Sequence, residues 1–93
     1  MIALKPLRLF WTEHPDAEKP LRAWYKLVSR GRWKTIVDVR KTYPHADTVG
    51  WVTVFNIGGN KYRLIAIVDY KKGKVFVRHM LTHAEYDKGQ WKG

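Results

Sequence analysis

The apolar period of the chain changes near residue 50, from a helical repeat to an alternation of two, and no other feature limits the fold as strongly. Before the change, Leu7, Phe10, Trp11 and His14 share one helical face, with Lys5-Pro6 placing a proline in the first turn and Pro15 ending the segment. A second helix starts between Asp16 and Lys19, Pro20 arguing for the later start. Its apolar stripe is Leu21, Trp24, Tyr25 and Val28, its basic face Arg22, Lys26 and Arg30, and Gly31 closes it. A short helical turn is expected from Thr35 to Tyr43, with Thr35 and Asp38 in capping-box spacing and Pro44 as the stop.

After Gly50, residues 51–57 and 60–69 read as strands joined by Gly58-Gly59, and a third strand runs from Lys74 to Met80 after the Lys72-Gly73 turn. Thr82 to Glu85 is a capping box opening a short last helix, and residues 1–3 are a candidate edge strand. Helices followed by a meander predict an α+β domain spanning residues 1–93, with two or three N-terminal helices on one face of a small antiparallel sheet.

A two-residue Gly58-Gly59 loop pairs Asn56 with Lys61, Phe55 with Tyr62 and Val54 with Arg63. Side chains alternate along strands, so Thr53, Phe55, Ile57, Tyr62, Leu64 and Ala66 share the helix side. Val52, Val54, Asn56, Lys61, Arg63 and Ile65 share the other. A second loop of two or four residues sets Arg78 opposite Ile67 or Ile65, on the Arg63 face; a bulge spoils that alignment. The expected product is a cationic patch of Asn56, Lys61, Arg63 and Arg78 among aliphatic residues, costly unless an anion meets it. Charges of one sign gathered there point to phosphate.

The whole chain carries the same bias. Eighteen Lys plus Arg against eight Asp plus Glu give +10 in 93 residues, a balance that suits a polyanionic partner. An aromatic content of 14% argues against disorder. Zero cysteines exclude disulfides, thiolate metal sites and cysteine nucleophiles. The longest aliphatic run, Leu64 to Val68, is far short of the ~20 residues of a membrane span, and Lys5-Pro6 interrupts any signal-peptide stretch. A soluble cytoplasmic protein without membrane contact is expected.

Directly after Arg78 come His79, His83, Glu85, Tyr86, Asp87 and Lys88. Phosphodiester cleavage without a metal needs a base for the 2′-OH, an acid for the 5′-oxygen and cations for the phosphorane. His83 and Tyr86, three apart on a helical segment, share a face and suit the proton transfers. Arg63, Arg78 and Lys61 suit the charge. The four histidines invite a metal reading, but His79 belongs to a strand and His83 follows the capping Thr82, so neither a metal nor a cofactor is expected. Ser29, the sole serine, lies beside a helix end and does not support a Ser/His/Asp triad. Most aromatics fall on core stripes; Trp33, Tyr43, Trp51 and Trp91 are freer to stack on bases.

The segments HPDAEKPLRAWYKLV, VFNIGGNKYRLIAIVDY and VRHMLTHAEYDKGQW resemble the HigB-type toxins of bacterial type II toxin–antitoxin modules, in the RelE-like superfamily, from about residue 10 to the C terminus. The resemblance implies a ribosome-dependent mRNA endonuclease with helices against a small antiparallel sheet. It implies a cognate HigA-like helix-turn-helix antitoxin as partner, with operator DNA bound only through the toxin–antitoxin complex. Carried over, Arg63 is the strand arginine at the scissile phosphate, and Lys61 stands where basic residues are favoured. His83 and Tyr86 lie in the segment supplying the catalytic His or Tyr; the second arginine, Arg78, varies in position across the superfamily. The catalytic set is thus Arg63, Arg78, His83 and Tyr86, with Asn56, Lys61 and Lys88 binding RNA. Two other functions fit a basic domain of this kind: a non-catalytic RNA- or ribosome-binding module, and a gyrase poison of the same fold, a class that tends to lose the His and Tyr kept here.

Overall fold

A computed structural model describes residues 5–30, 33–59 and 61–89. Helix α1 covers Lys5–Glu13, a 3₁₀ turn Pro15–Ala17, α2 Glu18–Arg30 and α3 Ile36–Thr42. Strands β1 (Asp47–Val49), β2 (Val52–Ile57), β3 (Tyr62–Asp69) and β4 (Lys74–Thr82) follow, and α4 spans His83–Lys88. The four strands form one antiparallel meander in the order β1-β2-β3-β4. The architecture is the expected α+β.

The helical stripes became the core. Leu7, Leu21 and Trp24 have no exposed surface, and Val28 and Val39 are buried with them. They meet Phe55, Ile57, Tyr62, Leu64 and Ala66, the side of the sheet expected to face the helices. Phe55 is the centre of this layer. Trp24 meets its ring edge-on at 5.5 Å, Tyr43 does so at 5.5 Å, and Trp33 stacks on it at 6.1 Å. Trp33 and Tyr43 are therefore packing aromatics, whereas Trp51, at the β1–β2 turn, is 93% exposed.

Local chemistry explains the element ends. α2 begins at Glu18, ahead of Pro20, because the first turn has no intrahelical partner for the missing N–H. Thr35 caps α3 by accepting from the Val37 N–H, while the Asp38 carboxylate reaches one residue further back, to the Lys34 N–H at 2.9 Å. Thr82 and Glu85 form the full reciprocal capping box at α4, and Gly89, at φ +71°, ends it. β1 was not signalled by the alternation, being three residues long. The candidate strand 1–3, Gly31, Asn60 and Trp91 lie outside the described residues.

Two register expectations are corrected. Ile57 pairs with Tyr62 and Asn56 with Arg63, so the β2–β3 loop holds four residues, 58–61, instead of two. The shift is by two positions, so every side chain keeps its face, but Lys61 leaves the strand for the turn. The β3–β4 loop also holds four residues, with Asp69 paired to Lys74; then a bulge intervenes between Ile65 and Ala66, which pair with His79 and Val77. Arg78 is the extra residue of that bulge. It does not stand opposite Ile65 or Ile67.

Candidate active site

Arg63 is the second residue of β3, flanked across the sheet by Asn56 of β2 and Leu81 of β4. Val54 and Ile65, on the same face, are buried as well. Helix α4 folds back against β3 and β4 and is anchored by the His83 N–H donating to the Lys61 carbonyl at 3.0 Å. Tyr86 lies over Arg63, with the guanidinium carbon 5.3 Å from the ring centroid. Arg63 is consequently only 8% exposed, and one of its N–H groups donates to the Tyr62 carbonyl at 3.3 Å. A cation held between strand backbone and an aromatic face is fixed in position before any anion arrives.

His83 occupies the first position of α4. Its Nδ1 lies 3.0 Å from Asp87 Oδ2, one helical turn on. A carboxylate in that place orients the ring and leaves Nε2 as the nitrogen for proton exchange. Asp87 is the member of the site that the sequence reading passed over, although the His83/Asp87 spacing of four is itself the signal. Lys88, in the last turn of α4, is exposed. His79 shares the Arg63 face by register, opposite Ile65. Among the described residues no three His, Asp or Glu side chains converge as a metal site.

The remaining expected members are dispersed. Lys61 sits in the turn with its Nζ 3.0 Å from Asp16 Oδ2, and Tyr62 donates its hydroxyl to the other oxygen of the same carboxylate. These bonds, Tyr62 first and Lys61 second, hold the Asp16 carboxyl below its ordinary range, and the same bond pushes the Tyr62 hydroxyl up. Lys61 therefore ties the β2–β3 turn to the 3₁₀ turn and does not stand beside Arg63. Arg78 is exposed at the outer edge of β4, beside Pro6, Leu9, Phe10 and Glu13 of α1. Asn56 borders a cleft of about 520 Å³ with the Tyr43–Ala46 turn and Gly59. Of the expected patch of four, Arg63 lies under Tyr86 with Asn56 as its cross-strand neighbour, whereas Lys61 and Arg78 are held elsewhere; the His83–Asp87 pair is on the same short helix as Tyr86.

Comparison with known proteins bears on this geometry. The family model for HigB toxins, described as the RelE-like toxic component of a toxin–antitoxin system, matches residues 17–89. The chain is 29% identical over 90 residues to the mRNA interferase toxin HigB of Escherichia coli strain K12, covering 94% of this chain and 86% of that protein. The mRNA interferase HigB of Shigella flexneri gives the same figures. That of Escherichia coli O6:H1 is 28% identical over 91 residues, 95% of this chain and 88% of the relative.

Proposed function

The chain belongs to the HigB toxin family, the RelE-like toxic components of toxin–antitoxin systems, and from that premise we propose that it is an mRNA endoribonuclease acting on translated message in the ribosomal A site, by attack of the 2′-OH without a metal. Its partner within such a system is an antitoxin. The relatives bear the name mRNA interferase. The observation that carries the reading is the placing of Tyr86 over the buried Arg63 guanidinium, with His83 and its Asp87 partner on the same short helix.

Each group has a task. Arg63 binds the scissile phosphate and neutralises charge as the phosphorane forms. The ribose 2′-oxygen attacks phosphorus, the bond to the 5′-oxygen breaks, and the products carry a 2′,3′-cyclic phosphate and a 5′-hydroxyl. His83 carries the protons, removing one from the 2′-OH and returning one to the departing 5′-oxygen, with Asp87 holding its ring. Tyr86 orients the 2′-OH above Arg63. Arg78 and Lys88, both exposed, hold neighbouring phosphates, and Asn56 contacts RNA beside Arg63. The antitoxin is HigA-like with a helix-turn-helix domain, operator DNA is bound only through the complex, and the site of action is the cytoplasm. No helix among the described residues is long and apolar enough to cross a membrane.

The test is induction of the chain followed by mapping of transcript 5′ ends, with and without translation. Cuts within translated frames, bearing 5′-hydroxyls and vanishing when initiation is blocked, are expected. Growth arrest with intact mRNA sinks the proposal, and double-strand DNA breaks in its place favour a gyrase poison.

A further inference from the structure

The cleft beside Asn56 is bordered by the cross-strand partner of Arg63. Its wall is the Tyr43–Ala46 turn, closed by the Ala46 N–H donating to the Tyr43 carbonyl at 2.9 Å. Arg40 fixes the turn from behind, its Nε donating to the Ala46 carbonyl at 3.1 Å. The Tyr43 ring is held edge-on against Phe55, and Ala46 is 3% exposed. Pro44 and His45 extend this wall outward, and Gly59 borders the far side. About 520 Å³ is a volume ordinary for small-ligand sites, which run from roughly 300 to 1,000 Å³.

Among the described residues the lining carries the Tyr43 and His45 rings and Pro44, no Asp, Glu, Lys or Arg, and one side-chain amide, that of Asn56. Asn56 makes no side-chain hydrogen bond to a described residue. An amide offers donors and an acceptor in the spacing of a base edge. Asn56 is also the direct cross-strand partner of Arg63, with Cα atoms ~4.5–5.5 Å apart in such a pair. A nucleotide whose phosphate sits on Arg63 therefore brings its own or the adjoining base to this cleft. We propose that the cleft is a nucleobase subsite, in which the base lies against the Tyr43 and Pro44–His45 wall and Asn56 reads its hydrogen-bonding edge, setting the base preference next to the cut. The proposal rests on the reading of the chain as a ribonuclease and adds where its sequence preference comes from.

Two measurements test it on the full chain. In the first, the four ribonucleoside monophosphates are titrated into the wild-type protein and followed by NMR. Saturable shifts of the Asn56 amide and Tyr43 ring signals, larger for one base than for the others, support the subsite. Shifts confined to the surroundings of Arg63, equal for all four, overturn it. In the second, cleavage sites of Asn56→Ala and Asn56→Ser are mapped on translated mRNA. Loss of a base-edge contact removes about 5- to 150-fold of discrimination at one position, so the relative preference there flattens, read as the ratio of cuts among sites and independent of overall rate. An unchanged site distribution, or an even loss at every site, overturns the proposal. Base-selective binding in the cleft by a chain that cuts no RNA supports the subsite and refutes the nuclease reading, so the two failures are distinguishable.

Discussion

Replacing Arg63 by methionine separates its catalytic work from its structural work. Methionine keeps most of the unbranched stem that packs in the sheet and removes only the guanidinium. On the stability side, the losses include the contact with the Tyr86 ring at 5.3 Å, worth about 0.5–2 kcal/mol, and the 3.3 Å hydrogen bond to the Tyr62 carbonyl, worth about 0.5–1.5 kcal/mol. They are offset in part because a buried cation no longer has to be kept out of water. A net loss near 1 kcal/mol lowers Tm by roughly 4–8 °C in a domain of this size. On the catalytic side, one preorganised charge at the phosphorane is worth about 10²–10³ in rate, ~2.7–4 kcal/mol. The variant should therefore melt a few degrees below wild type, cooperatively, while single-turnover cleavage on programmed ribosomes falls by two to three orders of magnitude (~10²–10³). Circular dichroism melts and the cleavage rate are read on the same preparation. A folded Arg63→Met protein that cleaves within about fivefold of wild type, under ~1 kcal/mol of barrier, refutes the assignment of Arg63 to the phosphate.

Three further outcomes are expected. His83→Gln should slow single-turnover cleavage by ~10²–10⁴ and flatten its pH profile, Tyr86→Phe should cost less, and both should still bind ribosomes; a wild-type rate and profile for His83→Gln makes that histidine structural and leaves the chemistry to Tyr86. Asp16, held below its ordinary value of 3.8 by Tyr62 and Lys61, gives stability that is fully present above that value and is lost as pH falls through the lower folded one. Asp16→Asn should accordingly flatten part of the fall in Tm between neutrality and strong acid, the remainder persisting through Asp38; an acid limb identical to wild type removes this linkage. The antitoxin complex of a chain carrying +10 should weaken measurably as salt rises through the Debye regime of about 0.05–0.5 M, and titration calorimetry showing flat affinity refutes charge as the main recognition term.

What could be read from the sequence and what could not divides along a physical line. The helix stripes and strand alternation report which surface each side chain gives up to the core, and that information survives errors in loop length. The Gly58-Gly59 loop proved two residues longer than its glycines suggest, yet Phe55, Leu64 and Ala66 stayed inward, because a shift of two leaves every face unchanged. A bulge is the opposite case, inserting one residue and thereby turning Arg78 from its expected alignment toward the edge beside α1. Nothing in VFVRHML marks where the extra residue falls, since apolar residues continue on both sides of it. The burial of Arg63 escaped for a different reason: it depends on α4 folding back over β3 and β4, a packing that brings residues more than twenty positions apart together. Local signals still fixed that return. The Thr82–Glu85 box sets where α4 begins, the three-residue step from His83 to Tyr86 puts both on one side, and the four-residue step to Asp87 supplies the imidazole's partner. The site is thus legible wherever its members share an element, and only the contact between elements, Tyr86 over Arg63, needed the fold.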